Sequence, residues 1–362
     1  MNPSKLKIRG KTIGVGHPCF IVAEVSGNHN QNLARAKKIV EAACRAGADA
    51  VKLQTYTPDT ITLDCDNKYF QIPKSNKLWG GQTLYQLYKK ACTPWEWYPE
   101  LKKITDKYGV IIFSTPFDDT AVDFLENMKM PVYKVASLEI TDTVLLRKIA
   151  KTGKPVIISR GTSSPSEIRQ ALEMLKSNGA GPMAVLHCVS SYPSRPEEMN
   201  LKTIPDIVKK LGVVSGLSDH TLSISVPVAA AALGASIIEK HLTLRRSDGG
   251  TDCDFSLEPD EFKKMVDSIR EVEKSLGRPT YKLVGGEKES ARLRRSIFVV
   301  QDIKKGDQFT LKNVKSIRPG CGLPVKFFEE VIGLKARKDI EKGTPLKWKL
   351  IKKSKKLKEV KY

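Results

Sequence analysis

The stretch "CFIVAEVSGNHNQNLARAKKIVEAACRAGADAVKLQ" (19–54) decides the fold. It begins with a β-branched apolar run, "CFIVAEV" (19–25). An amphipathic segment, "NLARAKKIVEAACRAG", follows and closes on the glycine expected just past a helix end. A second apolar run, "AVKLQ" (50–54), completes a strand–helix–strand unit. The same alternation continues through "VIIFS" (110–114), "VYKVA" (132–136), "PVIIS" (155–159), "MAVLHC" (183–188), "VVSGL" (213–217) and "SIIEK" (236–240). Helical segments such as "PSEIRQALEMLKSNG" and "SVPVAAAALGA" lie between them. Eight strands with intervening helices specify an α/β chain folded as a (β/α)8 TIM barrel rather than an open doubly wound sheet. The irregular stretch 55–92 reads as an enlarged loop on the face where such barrels build their sites.

Such a barrel takes up about 250 residues, so a chain of 362 leaves room for an appendage. After residue 276 the texture changes: "LGRPTYKLVGGEKESARLRR" has the Gly, Pro and charge content of a linker. Two similar stretches follow, "VVQDIKKGDQFT" (299–310) and "ARKDIEKGTPLK" (336–347), each turning through D-I-x-K-G. The expected organisation is a catalytic barrel over 1–276, a linker over 277–292, a small β-rich domain over 293–352 and a solvated basic tail over 353–362.

Sixty-one Lys and Arg against 40 Asp and Glu give a net charge of +21. Such an excess favours anionic partners, whether nucleic acid, membrane surface or metabolite, without choosing among them. The basic residues are dispersed, Arg292, Arg294, Arg295 and the lysine tail included, and no aromatic-interleaved patch accompanies them, which argues against nucleic acid. The seven cysteines are odd in number, scattered and never spaced C-x-x-C, so neither a disulfide framework nor a zinc knuckle is expected. "MNPSKLKIRG" lacks an apolar signal core, and no run approaches the ~18 apolar residues of a membrane span. These features predict a soluble cytoplasmic protein.

Barrel enzymes build their sites at the C-terminal ends of the strands, and polar residues collect there: Glu24, Lys52, Gln54, Ser114, Thr115, Lys134, Ser159, Tyr192, Ser218, Asp219, His220, Glu239, Lys240 and His241. One such residue is easily a rim charge; their recurrence at most of the ends is not. His220 and His241 occupy adjacent ends, where both imidazoles can reach one divalent ion and leave open positions for water and substrate oxygens. Lys52 and Lys134, with Ser159 and Ser218, offer cations and hydroxyls to a phosphate without a Walker loop. The "GVG" at 14–16 precedes the first strand and so does not signal a nucleotide.

The stretches "IVAEVSGNHN", "VKLQTYTPD", "FSTPFD", "YKVAS", "LSDHT", "EKHLTL" and "SIRPGCGLP" resemble the sialic acid synthase family over nearly the whole chain. The small final domain is similar to antifreeze-protein-like (SAF) modules. "GGQTLYQLYKKACTPWEW" (80–97) and "DGGTDCDFSLEPDEF" (248–262) look closest to the pseudaminic acid branch. The resemblance implies condensation of phosphoenolpyruvate with an acetamido sugar, here 2,4-diacetamido-2,4,6-trideoxy-altrose. The alternative acceptor is a mannose-type N-acetyl sugar, giving N-acetylneuraminate or N,N'-diacetyllegionaminate. By the same resemblance, His220 and His241 hold Mn2+, or Co2+ or Mg2+ in its stead. Lys52, Gln54, Thr115, Lys134, Ser159, Ser190 and Ser218 take phosphoenolpyruvate. Glu24 bonds the sugar and moves a proton, Tyr192 and Asp252 position the sugar, and Arg318 reaches its acyl group within a domain-swapped homodimer. Arg245 and Arg246 are expected to be surface charges.

Three positions depart from the family pattern. Arg160 stands where a small or hydroxyl residue is usual, and Gln31 and Ser223 replace common glycines. Arg160 points either to a phosphate or to solvent; the sequence does not choose.

Overall fold

A computed structural model describes residues 5–352; the basic tail expected at 353–362 lies outside them. The chain divides into two compact units at Gly277/Arg278.

The first unit opens with a hairpin, β1 (Leu6–Ile8) and β2 (Lys11–Ile13). Eight strands then form a closed barrel of neighbouring parallel pairs: β3 (Phe20–Glu24), β4 (Ala50–Thr55), β5 (Ile111–Pro116), β6 (Tyr133–Val135), β7 (Val156–Ser159), β8 (Met183–Cys188), β9 (Val214–Asp219) and β10 (Ile237–His241). All eight apolar runs form these strands. Helices alternate with them: α1 (Leu33–Arg45), then α2 (Pro58–Ile61) and α3 (Leu84–Ala91) within the enlarged loop, α4 (Tyr98–Tyr108), α5 (Asp119–Asn127), α6 (Thr143–Ala150), α7 (Pro165–Ser177), α8 (Thr203–Leu211), α9 (Ser225–Ala232) and α10 (Pro259–Leu276). The stretch 55–92 is thus less irregular than expected, because Thr83 and Gln86 form a capping box that starts α3.

The two-residue period of the strands divides the core. Phe20, Val22, Ala50, Phe113, Ile157, Leu186 and Ile237 fill the barrel interior, together with Leu6, Ile8 and Ile13 of the hairpin. The alternate residues Ile21, Ala23, Val51, Leu53 and Ile238 face outward against the helices. Helix α1 presents Ala36, Ile39, Val40 and Ala43 to that layer, and Asn32 caps it by accepting from the Arg35 amide at 3.0 Å. Fully burying one such aliphatic side chain contributes about 1.5–3 kcal/mol. Apolar residues fill the interior up to the strand ends, so the inward positions beyond them are free to be polar.

In the second unit, α11 (Glu287–Ala291) forms inside the stretch read as a linker. A three-stranded antiparallel sheet follows, with β11 (Ser296–Val299) between β12 (Val314–Ile317) and β13 (Leu323–Pro324), and then α12 (Phe328–Val331). The D-I-x-K-G repeat has a structural meaning. Ile303 and Ile340 exchange backbone hydrogen bonds of 2.9 and 2.8 Å, so the two copies pair antiparallel. Asp302 accepts from the Lys342 amide at 2.7 Å and Asp339 from the Lys305 amide at 2.8 Å. Each copy thereby caps the turn of the other.

Candidate active site

Strand alternation selects the side chains that enter the mouth of the barrel. Lys52 and Gln54 on β4, Ser218 and His220 at the end of β9, and Glu239 and His241 on β10 are spaced by two and therefore share the inner side. Lys134 from β6, Ser159 from β7 and Cys188 from β8 join them around a cavity of about 510 Å3. Loops add Ser26, Tyr192, Thr251, Asp252 and Phe255 to its wall, and the enlarged loop contributes Ile72, Trp79, Leu87 and Tyr88.

The floor of the cavity is a compact set of buried charges. Lys52 Nζ forms an ion pair with Glu24 Oε2 at 2.7 Å and lies 3.6 Å from Glu239 Oε1. Lys134 Nζ lies 3.7 Å from the same Glu239 oxygen and donates to Ser159 Oγ at 2.8 Å. Lys52 also donates to Thr115 Oγ1 at 3.2 Å, and Ser218 Oγ donates to Glu239 at 3.2 Å. Gln54 donates to Glu24 Oε1 and to Ser26 Oγ, both at 3.0 Å. Buried ions persist only when paired in this way.

The environment separates the titration of the two carboxylates. Burial raises the Glu24 carboxyl above its ordinary range; Lys52 opposes the shift and Glu239 adds to it. Burial also acts on Glu239, but Lys134 and Lys52 outweigh it and hold that carboxyl below the usual range. Burial lowers the Lys134 ammonium, with Glu239 opposing. Among carboxylates at the floor, Glu24 is thus the readier proton carrier.

The two histidines line the same cavity with ring centroids 5.4 Å apart. His220 Nδ1 donates to the Val189 carbonyl at 2.9 Å, which leaves Nε2 as the nitrogen available to a metal; burial lowers this imidazole, but the nearby Cys188 thiol outweighs burial and raises it. His241 Nδ1 is buried without a hydrogen-bond partner. Burial, then the nearby His220 and lysines, keep that imidazole neutral well below its ordinary range. Two imidazoles on one cavity wall, one with its Nδ1 taken by a backbone carbonyl and the other with an unpartnered Nδ1, fit a divalent ion with open positions. Among the described residues, no group of three or more His, Cys, Asp and Glu is arranged to hold a metal. Any ion here would rest on the two imidazoles and on ligands brought by substrate and water.

Asp252 accepts from Ser26 Oγ in a short contact and from the Gly27 amide at 3.4 Å; burial raises its carboxyl. Tyr192 packs between His220, at 4.5 Å between centroids, and Trp79, at 5.7 Å. Trp79 Nε1 donates to the Thr251 carbonyl at 2.7 Å, tying the enlarged loop to the one that carries Asp252.

Not every candidate reaches the cavity wall. Glu24 and Thr115 lie beneath it in contact with Lys52. Ser190 is set back and shares a 2.9 Å bond with Ser137 Oγ. Gly161 makes that spot tight, since a Cβ there would stand 2.6 Å from Ser190 Oγ. Arg318 belongs to the second unit, exposed just after β12. Arg160 resolves differently from both alternatives. As the residue after Ser159 it faces away from the cavity, and its guanidinium bonds His187 Nδ1 at 2.8 Å. Arg246 is not a plain surface charge: it grips Glu261 through two bonds of 2.5 and 2.8 Å. Arg245 is exposed as expected.

Two acidic residues of the cavity, Glu239 and Glu139, carry no role in the sequence reading. Glu239 stands among the strand ends without an assignment, although its spacing of two from His241 marks it as inward. Glu139 sits on the loop after β6 with a buried oxygen that has no partner. Burial raises its carboxyl to about 7, with Lys134 opposing. No periodic signal reaches a residue in such a loop.

The closed parallel barrel with a polar cavity at its C-terminal mouth defines a TIM-barrel enzyme. Residues 39–281 match the NeuB family and residues 294–352 the SAF domain, and the chain belongs to the NeuB family. It is 43% identical over 328 residues to the pseudaminic acid synthase of Campylobacter jejuni, covering 91% of this chain and 95% of that protein. The Helicobacter pylori pseudaminic acid synthase is 42% identical over 330 residues, with 91% and 96% covered. The crystal structure of an N-acetylneuraminic acid synthetase from Leptospira borgpetersenii, in complex with citrate, superposes with a TM-score of 0.70 at 33% identity, covering 80% of this chain and 95% of that one. Among the described residues no helix is long and apolar enough to cross a membrane.

Proposed function

We propose that the protein condenses phosphoenolpyruvate with 2,4-diacetamido-2,4,6-trideoxy-β-L-altropyranose and water, releasing pseudaminic acid and phosphate. One observation carries the reading: two buried ammonium groups, Lys52 and Lys134, flanked by hydroxyls on the cavity floor. Relatives of 42–43% identity that bear the name pseudaminic acid synthase support the choice of acceptor.

In this reaction the enol carbon attacks the aldehyde carbon of the open-chain sugar and forms the C–C bond, and the aldehyde oxygen takes up a proton. Water adds to the cationic carbon left on the former enol. The added water gives up one proton, and as the C–O bond to phosphate breaks, its electron pair leaving with the phosphate, the remaining hydroxyl gives up its proton and becomes the keto oxygen. Lys52 and Lys134, with the Ser159 and Ser218 hydroxyls, hold the phosphate and carboxylate. Gln54 takes the substrate from the cavity wall beside them, and Thr115 and Ser190 support them from behind. Glu24 carries the proton, acting through the groups or water between it and the cavity. His220 and His241 hold a divalent ion, Mn2+ in this reading with Co2+ or Mg2+ as substitutes. When bound, the ion supplies Lewis-acid polarisation of the aldehyde. Tyr192 and Asp252 position the sugar. Arg318 reaches the acyl group from the partner chain of a domain-swapped homodimer, a role that rests on the family resemblance. The reading assigns the protein to the cytoplasm, the compartment of phosphoenolpyruvate.

A phosphate-release assay against three acceptors tests the reading: the diacetamido-trideoxy-altrose, its mannose-type analogue and N-acetylmannosamine. The first should turn over fastest. Faster turnover of N-acetylmannosamine would overturn the choice of acceptor, and no phosphate release with any of the three would overturn the condensation itself.

A further inference from the structure

Behind the two histidines lies a second charged group that faces away from the cavity. Asp219 and Lys240 immediately precede His220 and His241 and are register partners between β9 and β10. Both side chains are 0% exposed, and Lys240 Nζ lies 2.6 Å from Asp219 Oδ2. Lys240 also donates to the Thr221 carbonyl in a short contact. Asp219 in turn accepts from the Thr221 amide at 2.9 Å and from its hydroxyl at 3.2 Å. The segment leaving His220 is therefore tied to the strand that carries His241, on the side opposite the imidazoles.

A buried ion pair is weak evidence of a stabilising role, since apolar residues of similar volume often serve as well or better. This pair bridges the backbones on which both imidazoles stand. We propose that Asp219, Lys240 and Thr221 form a positioning clamp that fixes the spacing of His220 and His241 for a divalent ion. The inference rests on the reading that these two histidines hold the ion. Groups that orient metal ligands from behind typically change metal affinity by about 10- to 100-fold when removed.

The test is titration of full-length, chelator-stripped protein with Mn2+ alone, followed by the loss of the free-ion electron paramagnetic resonance signal. K240M/D219N removes the charge pair while keeping an acceptor for the Thr221 amide. It should weaken Mn2+ binding by about 10- to 100-fold and leave phosphoenolpyruvate binding, read by fluorescence quenching, near that of the unaltered protein. H220A/H241A serves as the control and should abolish Mn2+ binding. If that control binds Mn2+ normally, the metal reading falls and the clamp with it. If the control loses Mn2+ while K240M/D219N keeps unaltered affinity, the clamp alone is overturned. Should K240M/D219N fail to fold, T221V decides: it removes one hydroxyl and should weaken Mn2+ binding at an unchanged melting temperature, and unaltered affinity would refute the clamp.

Discussion

The two units of this chain handle charge in opposite ways. Residues 1–277 carry 37 Lys and Arg against 31 Asp and Glu, whereas residues 278–362 carry 24 against 9. Most of the +21 excess therefore belongs to the smaller unit. The cavity that binds anions in the proposed reaction has a balanced floor, with Lys52 and Lys134 facing Glu24 and Glu239. Net charge thus says little about this site. Buried cations need partners, so an anion site built inside a barrel contains as many acids as the fold demands. Among the described residues, the basic side chains of the second unit are exposed and, being solvated, need none.

The contrast predicts effects of very different size. Glu239→Leu leaves two buried ammonium groups short of a partner and should destabilise the protein by about 3–5 kcal/mol, measured by denaturant titration. Lys134→Met removes a cation aimed into the cavity and should lower phosphate release by about 100- to 1,000-fold. A loss of only a few fold would place phosphoenolpyruvate elsewhere. In the second unit, Lys304, Lys305 and Lys312 are exposed, and their joint replacement by Gln should leave both melting temperature and kcat unchanged. A large effect there would erase the distinction between the units.

A pH series sharpens the same comparison. The folded-state carboxyl of Glu139 is raised to about 7 by burial, so the protonated form is favoured in the folded protein. Its contribution to stability is fully present below the ordinary carboxylate range and is lost as pH rises through about 7. Glu139→Gln should therefore be less sensitive to pH across that window than the unaltered protein, as seen in parallel thermal melts. The smallest effects belong to the mutual turn caps. Asp302→Ala and Asp339→Ala should each lower the melting temperature slightly and by similar amounts, because each residue caps the copy opposite. Strongly unequal effects would break the symmetry inferred from the repeat.

Much of this was legible in the sequence, and the reason is periodicity. Eight apolar runs separated by helices identify the barrel, and the residue two positions from any inward strand end is inward as well. That rule links Lys52 with Gln54, Ser218 with His220, and Glu239 with His241. The direction of Arg160, which the sequence left open, is settled by its bond to His187. Contacts that depend on loop trajectory were not legible. Trp79 reaches Thr251 across 172 residues of sequence, and Arg246 finds Glu261 only after the intervening turns are built. Glu139 likewise acquires its environment from packing rather than from any spacing.

The most direct test of the central claim is the reaction of phosphoenolpyruvate and the diacetamido-trideoxy-altrose in 18O-enriched water, with both products weighed by mass spectrometry. The account predicts unlabelled phosphate released in equal amount with a nonulosonic acid, because water attacks carbon and the C–O bond breaks. Labelled phosphate, or phosphate released without the sugar acid, would contradict it.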